Sequence, residues 1–217
     1  MSNSAITVHG YQFSVYTRTV KLILIEKQLT FDYTETNPFR DNQSYQKLHP
    51  FGRVPVLVHN GFTIYETAAI TRYLDAAFPT PPMTPVSVEA TSRMQQVIGI
   101  IDSYGYRALV RQVFSNLIFR PLEGIEPSAA EVAEGLDTAQ QVLAALEQIA
   151  EEGLVLTGHH PSLCDYHLIP MIDYFLLTTR GQKLFRNQPS LCKWWKQVGA
   201  RRSVQLTHPD LSQLSAD

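Results

Sequence analysis

The sequence predicts an α/β half followed by an all-helical half, and three observations carry that division. Up to residue 78, short β-branched runs alternate with helical periodicity in the order βαβ and then ββα. Four prolines fall within the seven residues from Pro79, a density that neither a helix nor a central strand tolerates. Beyond them only helical periodicity remains. The expected bounds are an α/β domain over 1–78, a proline-rich linker over 79–88 and a helical domain over 89–217.

Taken in order, residues 6–9 (ITVH) form a short strand closed by Gly10. Ser14 stands where a helix cap belongs, ahead of a mostly buried helix reaching Gln28. Residues 29–34 alternate as a second strand, parallel to the first through a right-handed crossover. Residues 37–48 are polar and irregular, with the character of a mobile helix. Residues 54–58 (VPVLV) read as a buried strand, and Asn60-Gly61 supplies the two φ > 0 positions of a type I′ hairpin. Phe62 to Tyr65 returns as its partner. At Glu66-Thr67 the period becomes helical, with Thr67 a cap candidate and Ala69, Ile70, Tyr73, Leu74 and Ala77 on one face. A helix mouth attracts a carboxylate and a glutamate beside it holds an ammonium group, so this stretch suits the α-amino-acid end of a ligand.

After the prolines, one long or broken helix runs from Glu89 to about Phe119, with Gly99 and Gly105 as weak points. Ser128 and Glu131 have capping-box spacing ahead of a helix with Val132, Leu136, Val142, Leu143, Leu146 and Ile149 inward. Ser162 and Asp165 repeat that spacing before a helix that carries Pro170, where a kink is expected. Residues 189–205, with Trp194-Trp195, read as the last helix, and 212–217 as a polar end.

The composition excludes several classes. A net charge of −2 over 217 residues offers no nucleic-acid footprint. No run of about 18 apolar residues exists to span a membrane. MSNSAITVHG lacks a basic region followed by an apolar core, so no secretory leader is expected. Cys164 and Cys192, far apart in sequence, read as two thiols of a reducing cytoplasm, and His159-His160 as a polar loop rather than a metal site.

The FG-x-VPVL strand, the Asn-Gly hairpin and the Glu-Thr helix start resemble the glutathione-binding half of a glutathione S-transferase. GYQFSVYTRTVKLILIEK resembles the opening of serine-type members (phi, tau, theta-like and related bacterial classes), although Gln12 or Phe13 stands where the family often has proline. Ser162 to Asp165 resembles the family's buried capping element, and the Arg-x-Ser-Val tail its last helix. The resemblance implies a thioredoxin-like first domain and a helical second one. It implies a transferase that activates the thiol of its co-substrate glutathione as thiolate for attack on a small hydrophobic or aromatic electrophile.

Carried over by residue, Ser14 is the catalytic position. Val54 pairs its backbone with the cysteinyl part of glutathione ahead of a cis-proline, and Glu66 with Thr67 holds the γ-glutamyl end. Arg40 and Arg53 are candidates for the glycine carboxylate, or else solvated surface arginines. The electrophile would lie between Tyr11-Phe13 and Tyr104, Arg107 and Arg111, which share one α-helical face with Phe114 nearby; the tyrosines could instead be core and the arginines a solvated edge. A homodimer is expected, thioredoxin-like half against helical half. Two other readings stay open: a non-catalytic glutathione-binding scaffold, or a glutathione-dependent thiol-disulfide reductase or peroxidase, the reductase needing a cysteine where Ser14 stands.

Overall fold

The computed structural model describes residues 5–40 and 43–212, so residues 1–4 of the N-terminal stretch and all but Ser212 of the polar end lie outside the described residues. The chain divides into two compact units, the first ending at Met83 and the second beginning at Thr84.

The first unit is thioredoxin-like. Its sheet has the order β2-β1-β3-β4, with β1 Ile6–Gly10, β2 Asp32–Glu35, β3 Val56–His59 and β4 Phe62–Tyr65. β1 and β2 are parallel, as a helical crossover allows, whereas β1–β3 and β3–β4 are antiparallel. Asn60 (φ 50°) and Gly61 (φ 84°) turn the hairpin as their types predict. The crossover helix α1, Val15–Glu26, buries Val20, Leu22, Ile23 and Leu24. α2 is the single short turn Gln43–Gln46, within the stretch read as a mobile helix.

α3, Thr67–Ala77, packs against α1. Its buried side is Thr67, Ile70, Thr71, Leu74 and Asp75, while Ala69 and Ala77 are exposed, a rotation from the face expected. Asp75 sits inward because the buried Lys27 ammonium meets it at 2.9 Å and also donates to the carbonyls of Phe78 and Pro81, each at 2.7 Å. Asp75 accepts the Met83 N–H at 3.0 Å as well, so this buried pair binds the first prolines to the α/β unit.

The second unit is helical throughout its described secondary structure. α4, Val88–Ile100, continues into a π-helical stretch, Ile101–Phe119, and then α5, Arg120–Leu122. Gly99 and Gly105 do not interrupt this path; the change at Ile101 is in hydrogen-bond spacing, not direction of pairing. α6, Ala129–Glu151, starts at Ser128, whose hydroxyl accepts the Glu131 N–H at 3.3 Å. The expected reciprocal bond is not made, because the Glu131 carboxylate turns to Asn116 (2.9 Å) and Arg120 (3.1 Å) and the Asn116 carbonyl takes the Ser128 N–H.

α7, Leu163–Leu176, is buried along most of its length, with the stacked pair Phe114–Tyr174 beside it at 4.1 Å. α8, Thr179–Phe185, α9, Pro189–Val198, and α10, Arg202–Leu206, follow, so the expected last helix is two pieces. The buried Glu147 of α6 accepts the N–H groups of Ser190 (2.7 Å) and Leu191 (2.9 Å) and thereby caps α9 from another helix.

Candidate active site

Strand register brings the chain around Ser14, Val54 and Glu66 to one end of the sheet. His9 pairs with Val56, Gly10 with Glu35, and Val56 with Tyr65. The chain therefore leaves β1 toward Ser14, enters β3 from Val54 and leaves β4 toward Glu66 at the same end. α1 and α3 both begin there, so the first turns of two helices lie at that end of the sheet.

The loop before Ser14 is tightly specified. The Ser14 N–H donates to the Tyr11 carbonyl (2.9 Å), and the Tyr11 N–H to the Thr17 hydroxyl (3.2 Å). A Cβ at Gly10 would overlap the Thr17 side chain, which is why glycine closes β1. Ser14 is half-buried, and its hydroxyl oxygen accepts the Thr17 N–H at 3.2 Å. Accepting that bond turns the oxygen toward the helix and leaves the hydroxyl proton as the group's donor.

Pairing of β3 starts at Val56, so the peptide groups of Val54 lie ahead of the ladder, and the Val54–Pro55 bond is cis. The Tyr45 hydroxyl donates to the Arg53 carbonyl at 2.6 Å and steadies that approach. At β4's end the structure corrects the cap: Glu66, not Thr67, is the N-cap of α3, and Thr67 is its first helical residue, buried. Glu66 has φ 70° and ψ 117°, and its exposed carboxylate makes no capping bond. A non-glycine residue held in that region stores about 1–3 kcal/mol, a signature of functional positions.

Arg53 is exposed beside Gly52, and Arg40 lines a cleft of about 280 Å³ with Asn37, Phe39, Tyr45, Gln46 and Phe51. The sequence reading missed His49. Its buried ring lies 4.6 Å from Tyr65, and burial lowers its pKa, with Glu66 opposing and Arg53 adding to the shift. It also missed Phe39, whose ring meets Tyr11 edge-on at 6.0 Å, as Phe13 does at 5.4 Å. Periodicity had no hold on either residue, because both sit in irregular chain.

In the second unit Tyr104, Arg107 and Arg111 are all exposed, and Arg107 approaches Glu134 at 3.5 Å. They lie in the π-helical stretch, where i, i+3 and i+7 no longer superpose as in an α-helix, so exposure is what they share. Phe114, expected near them, is core. Asp165 is fully buried and accepts from the Ser162 N–H (2.7 Å), the Ser162 hydroxyl (2.9 Å) and the Trp194 indole N–H (2.7 Å). Among the described residues, no group of three or more His, Cys, Asp or Glu is arranged to hold a metal.

Two family models match the chain, one described as the glutathione S-transferase N-terminal domain over residues 8–82 and the other as its C-terminal domain over residues 105–201. The glutathione S-transferase hmp2 of Hypomyces subiculosus is 30% identical over 200 residues, covering 89% of this chain and 93% of that protein. The glutathione S-transferase F13 of Arabidopsis thaliana is 26% identical, covering 96% of this chain and 97% of its own. A solved glutathione S-transferase III in apo form superposes with a TM-score of 0.83 at 23% identity, over 94% of this chain and 95% of its own, a likeness of fold.

Proposed function

The chain belongs to the glutathione S-transferase family, and on that premise we propose that it binds glutathione and activates its thiol at Ser14. The observation that carries this reading is the end of the sheet at which register gathers the loop to Ser14, the Val54 peptide ahead of β3 and the start of α3. These groups fit a charged tripeptide. Val54 offers peptide groups outside the ladder, Glu66 an exposed carboxylate for an ammonium, and Thr67 the first turn of α3 for a carboxylate. Arg53 and Arg40 are the cations for the far carboxylate.

Glutathione supplies the sulfur nucleophile; the chain's part is to favour its ionised form. A thiol of pKa ~8.5 is mostly protonated at neutral pH, and lowering it by about two units takes ~2.7 kcal/mol. A charge-assisted hydrogen bond from the Ser14 hydroxyl contributes about 1.5–3 kcal/mol and the N-terminus of α1 about 0.3–1 kcal/mol. The two together reach the requirement without a general base. The electrophile would rest on Tyr11 and Phe13 in the first domain. The thiols do not favour disulfide exchange, since both lie in the second unit and burial pushes Cys164 well up. The reading includes a homodimer, which sedimentation at micromolar concentration tests, and a cytoplasmic setting. No described helix is long and apolar enough to cross a membrane. The domain limits proposed are 1–78, 79–88 and 89–217.

The test is thiolate absorbance of the glutathione complex against pH, for wild type and Ser14→Ala. Glutathione affinity should change by only a few fold. The thiol pKa should rise by about one to two units, and conjugation at neutral pH should fall about 10–100-fold. Superimposed titration curves would reduce Ser14 to a helix cap.

A further inference from the structure

The loop from Gly10 to Ser14 is held at its two ends by bonds within itself and to Thr17, but its middle is held from another strand. The Gln12 N–H donates to Glu35 Oε1 at 3.1 Å across 23 residues. Glu35 is the last residue of β2, paired with Gly10, and the Thr36 N–H closes that ladder on the Gly10 carbonyl at 2.7 Å. The other carboxylate oxygen, Oε2, accepts the Tyr33 hydroxyl at 2.6 Å. Tyr33 and Glu35 project on the same side of β2, two residues apart. The Tyr33 hydroxyl is also 2.9 Å from the Gly10 carbonyl, and the Lys21 ammonium sits 4.2 Å above the Tyr33 ring.

We propose that Glu35 is a positioning residue for Ser14: its carboxylate, oriented by Tyr33, pins the Gln12 amide and so fixes the loop that aims the Ser14 hydroxyl. This rests on the reading of Ser14 as the thiol-activating group. Tyr33 is suited to its part, since burial and the Glu35 carboxylate both push its phenol well up and keep it a donor at any working pH. Lys21 comes from α1, the helix that Ser14 caps, so the network ties β2, the loop and α1 into one frame. Without Glu35, the Gln12 amide at the centre of the loop turns to water, and the loop is held only at its ends, by the Tyr11–Thr17 and Ser14–Tyr11 bonds.

The experiment measures kcat and KM for glutathione with a dinitrophenyl chloride, plus thiol titration of the glutathione complex. It compares wild type, Glu35→Ala, Glu35→Gln and Ser14→Ala. Glu35→Ala should lower kcat about three- to tenfold, the size of one net hydrogen bond, with KM for glutathione unchanged and the thiol titration displaced upward. Glu35→Gln keeps an acceptor oxygen for Gln12 and should restore kcat close to wild type. A wild-type kcat in Glu35→Ala beside an impaired Ser14→Ala overturns the positioning role and leaves Ser14 intact. A Glu35→Gln enzyme as slow as Glu35→Ala also overturns it, because charge rather than position would then matter. If wild type and Ser14→Ala titrate alike, the Ser14 reading fails and the positioning role with it. Should Glu35→Ala not fold, Glu35→Asp, whose carboxylate is drawn back by one methylene, carries the same test.

Discussion

Of the helices that begin behind a serine, α1 and α7 use it in opposite ways. At α1 the residue three beyond Ser14 is Thr17, whose N–H donates to the serine oxygen at 3.2 Å in a half-buried setting at one end of the sheet. At α7 the residue three beyond Ser162 is Asp165, whose carboxylate takes both the N–H and the hydroxyl proton of the serine inside a closed core. At α7 the first-turn acid therefore consumes the serine's proton, whereas at α1 no acid stands there and the proton is left to be directed elsewhere. Residue type and cap position are the same. The partner and the burial decide which serine is structural and which can act.

The largest effect should come from breaking the α7 end. Asp165→Ala strands the Ser162 N–H and the Trp194 indole N–H in the core, each at about 1–3 kcal/mol, so urea unfolding should shift by several kcal/mol. Turnover per folded molecule should stay near wild type. An equally stable but inactive variant would break the contrast and make Asp165 catalytic.

Acid should separate the two ends next. His167, on α7, is neutral in the fold because burial pulls its pKa from 6.5 to about 4. Between those values the unfolded chain binds a proton that the folded chain does not. The stability present above pH 6.5 is then lost as pH falls toward 4, by about 3 kcal/mol at most. Asp165, raised by burial, acts in the opposite sense. Subtracting the pH profile of His167→Asn isolates the histidine, and a difference that does not change with pH would contradict its buried, neutral state.

The start of α3 sharpens the comparison with a third kind of cap, one that bonds nothing and is strained. Glu66→Gly should relieve the φ of 70° and raise the melting temperature, gaining up to about 1 kcal/mol. It should also weaken glutathione binding, by about 1–3 kcal/mol, through loss of the ammonium's partner. Calorimetry showing unchanged affinity would move the binding site elsewhere.

The local structure around the candidate site was legible where a local rule applies. Asn60-Gly61 demands its hairpin, Ser14 precedes an apolar helix, and Glu66-Thr67 marks a change of period. Glu35 left no local trace, since an acid at the end of an alternating strand reads as solvated until register brings Gln12 to it. Phe114 was misjudged because the π-helical stretch changes which residues share a face. Glu131 was misjudged because Asn116 and Arg120, from the preceding helical run, compete for its carboxylate.

By itself the sequence determined the order of the four strands, the break at the prolines and the serines that open α1, α6 and α7. These follow from steric limits and side-chain spacing within a few residues, which any stretch of chain carries with it. Tertiary structure alone decided that Lys27 pairs with Asp75, that Glu147 caps α9, that Glu66 rather than Thr67 caps α3, and that Glu35 holds Gln12. Each is a polar group choosing among partners tens of residues away or between neighbouring conformations of similar energy. That choice depends on strand register and on which groups burial deprives of water, and neither exists before the chain has folded.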